Sequence, residues 1–353
     1  MTKTKIDFAG LTCPIPLKHD QKIMLGHGSG GLMSQQLIRD IFVNAFKNPI
    51  LNKGNDAGFI NNLNKPISVS TDAHVVFPLF FPGGDIGKLA ICGTVNDVSM
   101  LGAKPLFITA SFILEEGFLF SDLYKVVWSM KQAADEAGVT IIAGDTKVVE
   151  KGKADGVYIS TTGIGTIQAE NKISGDEAKP GDKVIISGYL GDHGIAVLNA
   201  RGELGFSSDI KSDVAPLNNM VSEILQTSNN IHVLRDPTRG GLATTLNEIA
   251  KQSNVCIKLI EETIPVRPET NSVCEMLGFD PLYIANEGKL IVIVAPEDAE
   301  KVFDTIKNSK YGSHAQIIGE VVEDPAGRVL MKTILGSHRV VDTLRGELLP
   351  RIC

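Results

Sequence analysis

Apolar positions recur along the chain in two rhythms. Leu37, Ile38, Ile41, Phe42 and Phe46 fall one, three and four apart, the stripe of an amphipathic helix. Residues 67–76 instead alternate apolar and polar, which predicts a strand with one buried face and Asp72 at its end. A helix over 88–101, a strand over 106–114, a helix over 123–137 and strands over 139–143 and 157–167 complete the first half. The turn Pro180-Gly181-Asp182 opens a second half of mixed character. There the pattern predicts strands over 184–187, 256–260, 290–295, 316–322 and 329–332. Helices are expected from Gly191-Asp192-His193-Gly194 onward, around Leu242, Leu246, Ile249 and Ala250, and over 268–277 and 299–306. No short repeat occurs, which excludes solenoids and propellers. From 336 to 353 periodicity fades; eighteen extended residues span about 60 Å, so this stretch reads as a mobile tail. The boundaries expected are an extension (1–21), an N-terminal domain (22–167), a C-terminal domain (168–335) and the tail (336–353).

With 353 residues, 43% hydrophobic and 21% charged, the chain reads as an ordinary globular protein with room for two cores. A net charge of −7 argues against binding nucleic acid, while leaving room for an anion held by a metal or a few lysines. No apolar run is long enough for a membrane span, and Met1-Thr2-Lys3-Thr4-Lys5 is not followed by a signal-peptide core. Five scattered cysteines (Cys13, Cys92, Cys256, Cys274, Cys353) form no C-x-x-C pair, so a reducing cytoplasm is expected.

Chemistry enters through acids and one thiol. Cys13-Pro14-Ile15-Pro16-Leu17 resembles a short motif of sulfur-relay proteins, but two prolines in an apolar run more often mean an extended segment packed on a neighbour. His27-Gly28-Ser29-Gly30-Gly31 before a helix can present N–H groups to phosphate or serve as a flap. Asp56, Asp72, Asp97 and Asp145 sit among small residues at element ends, as Mg²⁺-binding or capping acids do; Asp97 is flanked by apolar positions, where a carboxylate needs a cation. Lys147 and Glu287 border apolar strands, unlike solvated charges, and together could hold or move a proton. Cys353 ends the sequence beside Arg351, a fixed positive charge. By position alone that thiol is either incidental or a carrier on a flexible arm.

Through Leu79-Phe80-Phe81-Pro82-Gly83-Gly84-Asp85-Ile86-Gly87, Gly93-Thr94-Val95-Asn96-Asp97, Gly144-Asp145-Thr146-Lys147-Val148-Val149, Gly191-Asp192-His193-Gly194, Asp236-Pro237-Thr238-Arg239, Asn286-Glu287-Gly288-Lys289 and Pro350-Arg351-Ile352-Cys353, taken in that order, the chain resembles the HypE family of hydrogenase maturation factors. The resemblance runs from about Ile23 to the last residue and leaves Cys13 without a role. It implies a mixed α/β (α+β) two-domain fold shared with aminoimidazole ribonucleotide synthetase, forming a homodimer through an N-terminal sheet. It also implies an activity: ATP-dependent dehydration of a carbamoyl group, placed on Cys353 by the carbamoyltransferase HypF, to a thiocyanate. The cyanide then passes to iron on the HypC–HypD complex. On this reading Mg²⁺ sits on Asp56, Asp72 and Asp97, with Asp56 in the least matching segment. Lys147 and Glu287 form the base. His74, Asp85, Asp145, Asp236 and Arg239 contact or position the nucleotide, as His193 would unless it only starts a helix.

Overall fold

In the computed structural model, which describes residues 22–28, 32–53, 60, 64–202, 209–344, 348–349 and 351–353, two sheet-based units pack on one central helix. The expected extension with Cys13, and Asp56, lie outside the described residues. The first unit contains β1 (Ile67–His74), a short hairpin of β2 (Phe80–Phe81) and β3 (Gly84–Asp85), β4 (Ala103–Glu115), β5 (Thr140–Val149) and β6 (Val157–Ile167). Strands β1, β6, β4 and β5 form one sheet in that order, antiparallel except for the parallel β4–β5 pair. Its helices are α1 (Leu32–Leu37), α2 (Asn44–Phe46), α3 (Ile86–Ser99) and α4 (Phe120–Ala137). A π-helical stretch, Ile38–Val43, joins the first two; its wider turn rotates the stripe, leaving Ile38 43% exposed while Ile41, Phe42 and Phe46 are buried.

Alternation along β1 decides what faces α3. Ser68 and Ser70 reach the Val98 carbonyl and Asp97, and Asp72 and His74 lie against Gly93. The odd positions Ile67 and Val69 stay 54% and 57% exposed on the other face. Helix α3 is small or apolar on every side, which requires burial all round. Every residue but Lys88 and Asp97 is buried. Gly163 and Gly165 make the close approach possible: a Cβ on either would come within 2.7 Å of Thr94 or Val98.

The second unit is a seven-stranded sheet of β7 (Lys183–Ile186), β8 (Ile231–Arg235), β9 (Cys256–Ile260), β10 (Ile291–Val294), β11 (Gln316–Val322), β12 (Arg328–Lys332) and β13 (His338–Val341). The order is β13-β12-β9-β11-β7-β10-β8, with only β12–β9 parallel. The continuous apolar run of β10 is buried at every position, as a strand covered on both faces must be. Helix α5 (Asp192–Ala200) follows β7. Helices α6 (Asn218–Thr227) and α9 (Ala299–Asn308) cover one face of the sheet, α7 (Gly241–Gln252) covers the other, and α8 (Pro268–Leu277) packs on α5. Buried Asn96 joins the units: its Oδ1 accepts from Leu217 N at 2.8 Å and its Nδ2 donates to Ala215 O at 3.1 Å.

Several elements depart from the sequence pattern. β5 continues through Gly144–Val149, because pairing with β4 outweighs the polar residues there. The short α6 and β8 are not among the expected elements, although Met220, Val221, Ile224 and Leu225 fall at helical spacing and three of the five residues of β8 are apolar. β13 falls inside the expected tail: its His-Arg-Val-Val sequence resembles a loop until the ladder with β12 is formed. Among the described residues no helix is long and apolar enough to cross a membrane.

Candidate active site

The ending Arg-Ile-Cys offers an apolar side chain between a cation and a thiol, and the body uses all three. Ile352 is 4% exposed and joins the core with Val197, Val214 and Ala285. Its carbonyl accepts a 2.8 Å hydrogen bond from His193 Nε2, while His193 Nδ1 lies 2.8 Å from Ser212 Oγ. A carbonyl can only accept, so Nε2 carries the proton and Nδ1 accepts from the Ser212 hydroxyl. Burial lowers the pKa of His193 and holds the ring neutral. Val75 N and Phe77 N donate to the carbonyls of Cys353 and Arg351 at 3.1 and 3.2 Å, a short antiparallel pairing beyond the end of β1.

The Arg351 guanidinium lies over the Phe77 ring and pairs with Asp155 at 2.7 Å. It is therefore not the charge that faces the thiol, as its sequence position suggests; that place belongs to Arg239. The Glu287 carboxyl lies next to the thiol. Burial raises its pKa far above that of an ordinary cysteine, and the charges of Glu287 and Asp72 add to this against Arg239. The docked thiol is thus a poor nucleophile. Replacing Ile352 by aspartate buries an unpaired carboxylate and expels the tail. Alkylation of Cys353 by iodoacetamide then accelerates roughly tenfold or more, followed by peptide mass.

The motif Asn286-Glu287-Gly288-Lys289 is explained residue by residue. Buried Asn286 accepts from Gly191 N at 2.8 Å and donates to Pro237 O at 3.0 Å, cross-linking three loops. Gly288 passes Asp213 so closely that a Cβ would stand 1.8 Å from its carbonyl oxygen. Asp213 Oδ1 accepts from Glu287 N at 3.0 Å, and its Oδ2 pairs with Lys289 at 3.0 Å. Glu287 is thereby fixed with its carboxyl turned into the interior, 4% exposed, with Oε1 lacking any protein hydrogen-bond partner. Its pKa is raised well above the carboxylate range, first by burial, then by the charges of Asp236, Asp213, Asp72 and Asp97.

Those neighbours form an acidic wall. Asp236 is pushed up to about 7, by burial and then by Asp97; its Oδ2 is buried without a protein partner. Asp97 is raised by burial despite a 2.8 Å hydrogen bond from Ser70. His74, 2% exposed, touches Thr161 Oγ1 at 3.2 Å and Asp72 at 3.6 Å, and burial outweighs that charge to lower its pKa. Next to the wall a cavity of about 630 Å³ is lined by Asp72, Ser160, Arg239, Arg351 and Cys353. Hard carboxylate oxygens raised in pKa by mutual repulsion suit a divalent cation. Among the described residues, however, no three of them converge enough to ligate one ion by themselves. Further oxygens, such as those of a polyphosphate, would have to complete such a shell.

The structure brings Asp72, Asp97, Asp236, Arg239, Glu287 and Cys353 into electrostatic reach of one another. It separates out others. Lys147, expected beside Glu287, is 65% exposed and bonds Asp145 at 2.9 Å, because β5 carries both onto a solvated stretch. Asp85 serves as the cap of α3, accepting from Gly87 N at 2.7 Å and Lys88 N at 3.2 Å. Arg201, which donates to the Phe77 and Arg351 carbonyls at 3.0 and 3.1 Å, escaped sequence reasoning, as did Asn96 and Asp213. Only Asn96, a polar residue in an apolar helix, gave any signal.

Two family models match the chain: the AIR synthase related protein N-terminal domain over residues 54–167 and its C-terminal domain over 179–332. A carbamoyl dehydratase HypE from Cupriavidus necator is 52% identical over 98% of this chain and 98% of its own. A solved hydrogenase maturation protein HypE in complex with ATP superposes with a TM-score of 0.90 at 51% identity, covering 94% of this chain and 99% of that one. A HypE chain from a HypE–HypF complex gives a TM-score of 0.77 at 52% identity, covering 87% and 99%.

Proposed function

The chain belongs to the HypE family of carbamoyl dehydratases, and on that premise we propose that it uses ATP to dehydrate an S-carbamoyl group on its own Cys353 to a thiocyanate. The observation that carries this reading is the Cys353 thiol docked against the buried Glu287 carboxyl, with Asp72, Asp97 and Asp236 in electrostatic reach.

An amide oxygen leaves poorly. ATP, with Mg²⁺, supplies the phosphoryl group that makes it a leaving group. Asp72 and Asp97, with Asp56, would hold the metal, and Asp236 and Arg239 would contact the phosphates. Cys353 positions the carbamoyl carbon next to Glu287. Its raised proton affinity makes the deprotonated Glu287 a stronger base toward the carbamoyl nitrogen than an ordinary carboxylate. Two N–H protons and one C–O bond are lost, leaving S–C≡N and phosphate. Because Lys147 points to solvent on Asp145, the base in this reading is Glu287 alone.

HypF would load the carbamoyl group and a HypC–HypD complex would receive the cyanide for the iron of nickel–iron hydrogenase; both steps require the tail to withdraw from the crevice. The exposed Ile67, Val69 and Ile113 on the open face of the first sheet suit a homodimer contact. The test is the mass of the C-terminal peptide after incubation with HypF, carbamoyl phosphate and ATP. It should fall by one water relative to the carbamoylated form. A carbamoyl adduct that persists with ATP present overturns the reading.

A further inference from the structure

A second cavity, of about 380 Å³, opens beyond the loop that holds Glu287, bounded by Ser212, Asp213 and Lys289. Five basic side chains line it against two acidic ones, in a chain whose net charge is −7. Three of the five are already neutralised: Arg267 by Asp192 at 2.7 Å, Lys289 by Asp213 at 3.0 Å and Lys310 by Glu136 at 2.5 Å. Lys88 and Lys211 form no ion pair among the described residues; Lys88 donates to the Gly83 carbonyl at 3.2 Å, with Asp85 and Glu136 in electrostatic reach. The pair Lys289–Asp213 at the base is 11% and 4% exposed, so the positive field there is poorly screened.

We propose that this cavity binds a small oxyanion of the phosphate class, separately from the nucleotide and tail site. The lining itself argues for a small ligand. Two aromatic rings, Tyr189 and Tyr311, line it, and both are occupied: Tyr189 by His314 and Arg267, each at 4.4 Å, and Tyr311 by Lys310 at 5.0 Å, with its hydroxyl on Glu136. What remains is ammonium and hydroxyl donors, which match phosphate oxygens and match neither an adenine nor an apolar body. The two unpaired lysines come from the start of α3 and from the segment before α6, so an anion between them also bridges the two units.

The probe is inorganic phosphate, titrated calorimetrically into full-length protein free of nucleotide and again with saturating Mg²⁺–ATP. One saturable site is expected, occupied equally in both titrations. The double variant Lys88→Ala/Lys211→Ala should bind phosphate at least tenfold more weakly, and Lys211→Glu alone should do the same. Neither lysine is buried, so the thermal midpoint serves as the folding control. Unchanged affinity in the variants, or displacement of phosphate by ATP, overturns the proposal. Turnover is not read, so the outcome is independent of the dehydratase reading.

Discussion

Full-length protein carrying Cys353→Ser takes up a carbamoyl group that cannot proceed, or none at all, and forms no dehydrated product in the peptide-mass assay. The expected loss is complete, because no second thiol among the described residues can substitute. Cys92, Cys256 and Cys274 are buried, and burial raises the pKa of each, that of Cys274 to about 11. A serine oxygen retains the shape, and the His193 and backbone bonds to the tail are untouched, so the docking of Ile352 persists. Stability should stay within about 1 kcal/mol of wild type by thermal unfolding. Product formation by the serine variant would place the reactive group elsewhere.

Glu287→Gln should slow dehydration of carbamoylated protein by roughly 10²–10⁴-fold while leaving carbamoylation itself intact. Stability should move the other way. The amide has the same shape, and removing a buried carboxyl relieves its repulsion with Asp236, Asp213, Asp72 and Asp97. A variant that is inactive yet no less stable separates a catalytic base from a structural residue. The pH dependence has a definite sign. Glu287 holds its proton more tightly folded than unfolded, so the folded state binds the extra proton. Its contribution to stability is full below about pH 4.3, the unfolded value, and is lost as pH rises through the folded pKa. Asp236, at about 7, adds to the same slope. Glutamine at 287 should flatten the decline of the ligand-free protein's stability between acid and neutral pH. An unchanged slope, or a wild-type dehydration rate, would remove Glu287 from the role of base.

Much of the fold was legible because its strands and helices obey clean periods: 157–167, 256–260, 268–277 and 316–322 emerge with the boundaries the pattern predicts. What escaped was decided by tertiary partners. β13 exists through its ladder with β12, and β5 runs on because β4 pairs with it as far as Val149. The site divides in the same way. Asp97 and Glu287 stood out as charges in apolar surroundings, and both prove to be raised in pKa by burial. Lys147 looked equivalent, yet a border position on a strand does not reveal which face solvent reaches. Asp213 and Arg201 carry no local signal at all; their roles arise only from loops that meet in space.

The pairing of Val75 and Phe77 with the tail gives the crevice an unusual occupant, a segment of the same chain. Occupancy by a free substrate would follow its concentration. Here it follows a ratio of docked to undocked tail that dilution leaves untouched, so turnover of loaded protein should be first order and independent of protein concentration. The ordinary Michaelis constant has no meaning for such a group. Its counterpart is a docking equilibrium written into Ile352, His193 and the two backbone bonds. Partners can draw on that equilibrium without ever competing for the active site.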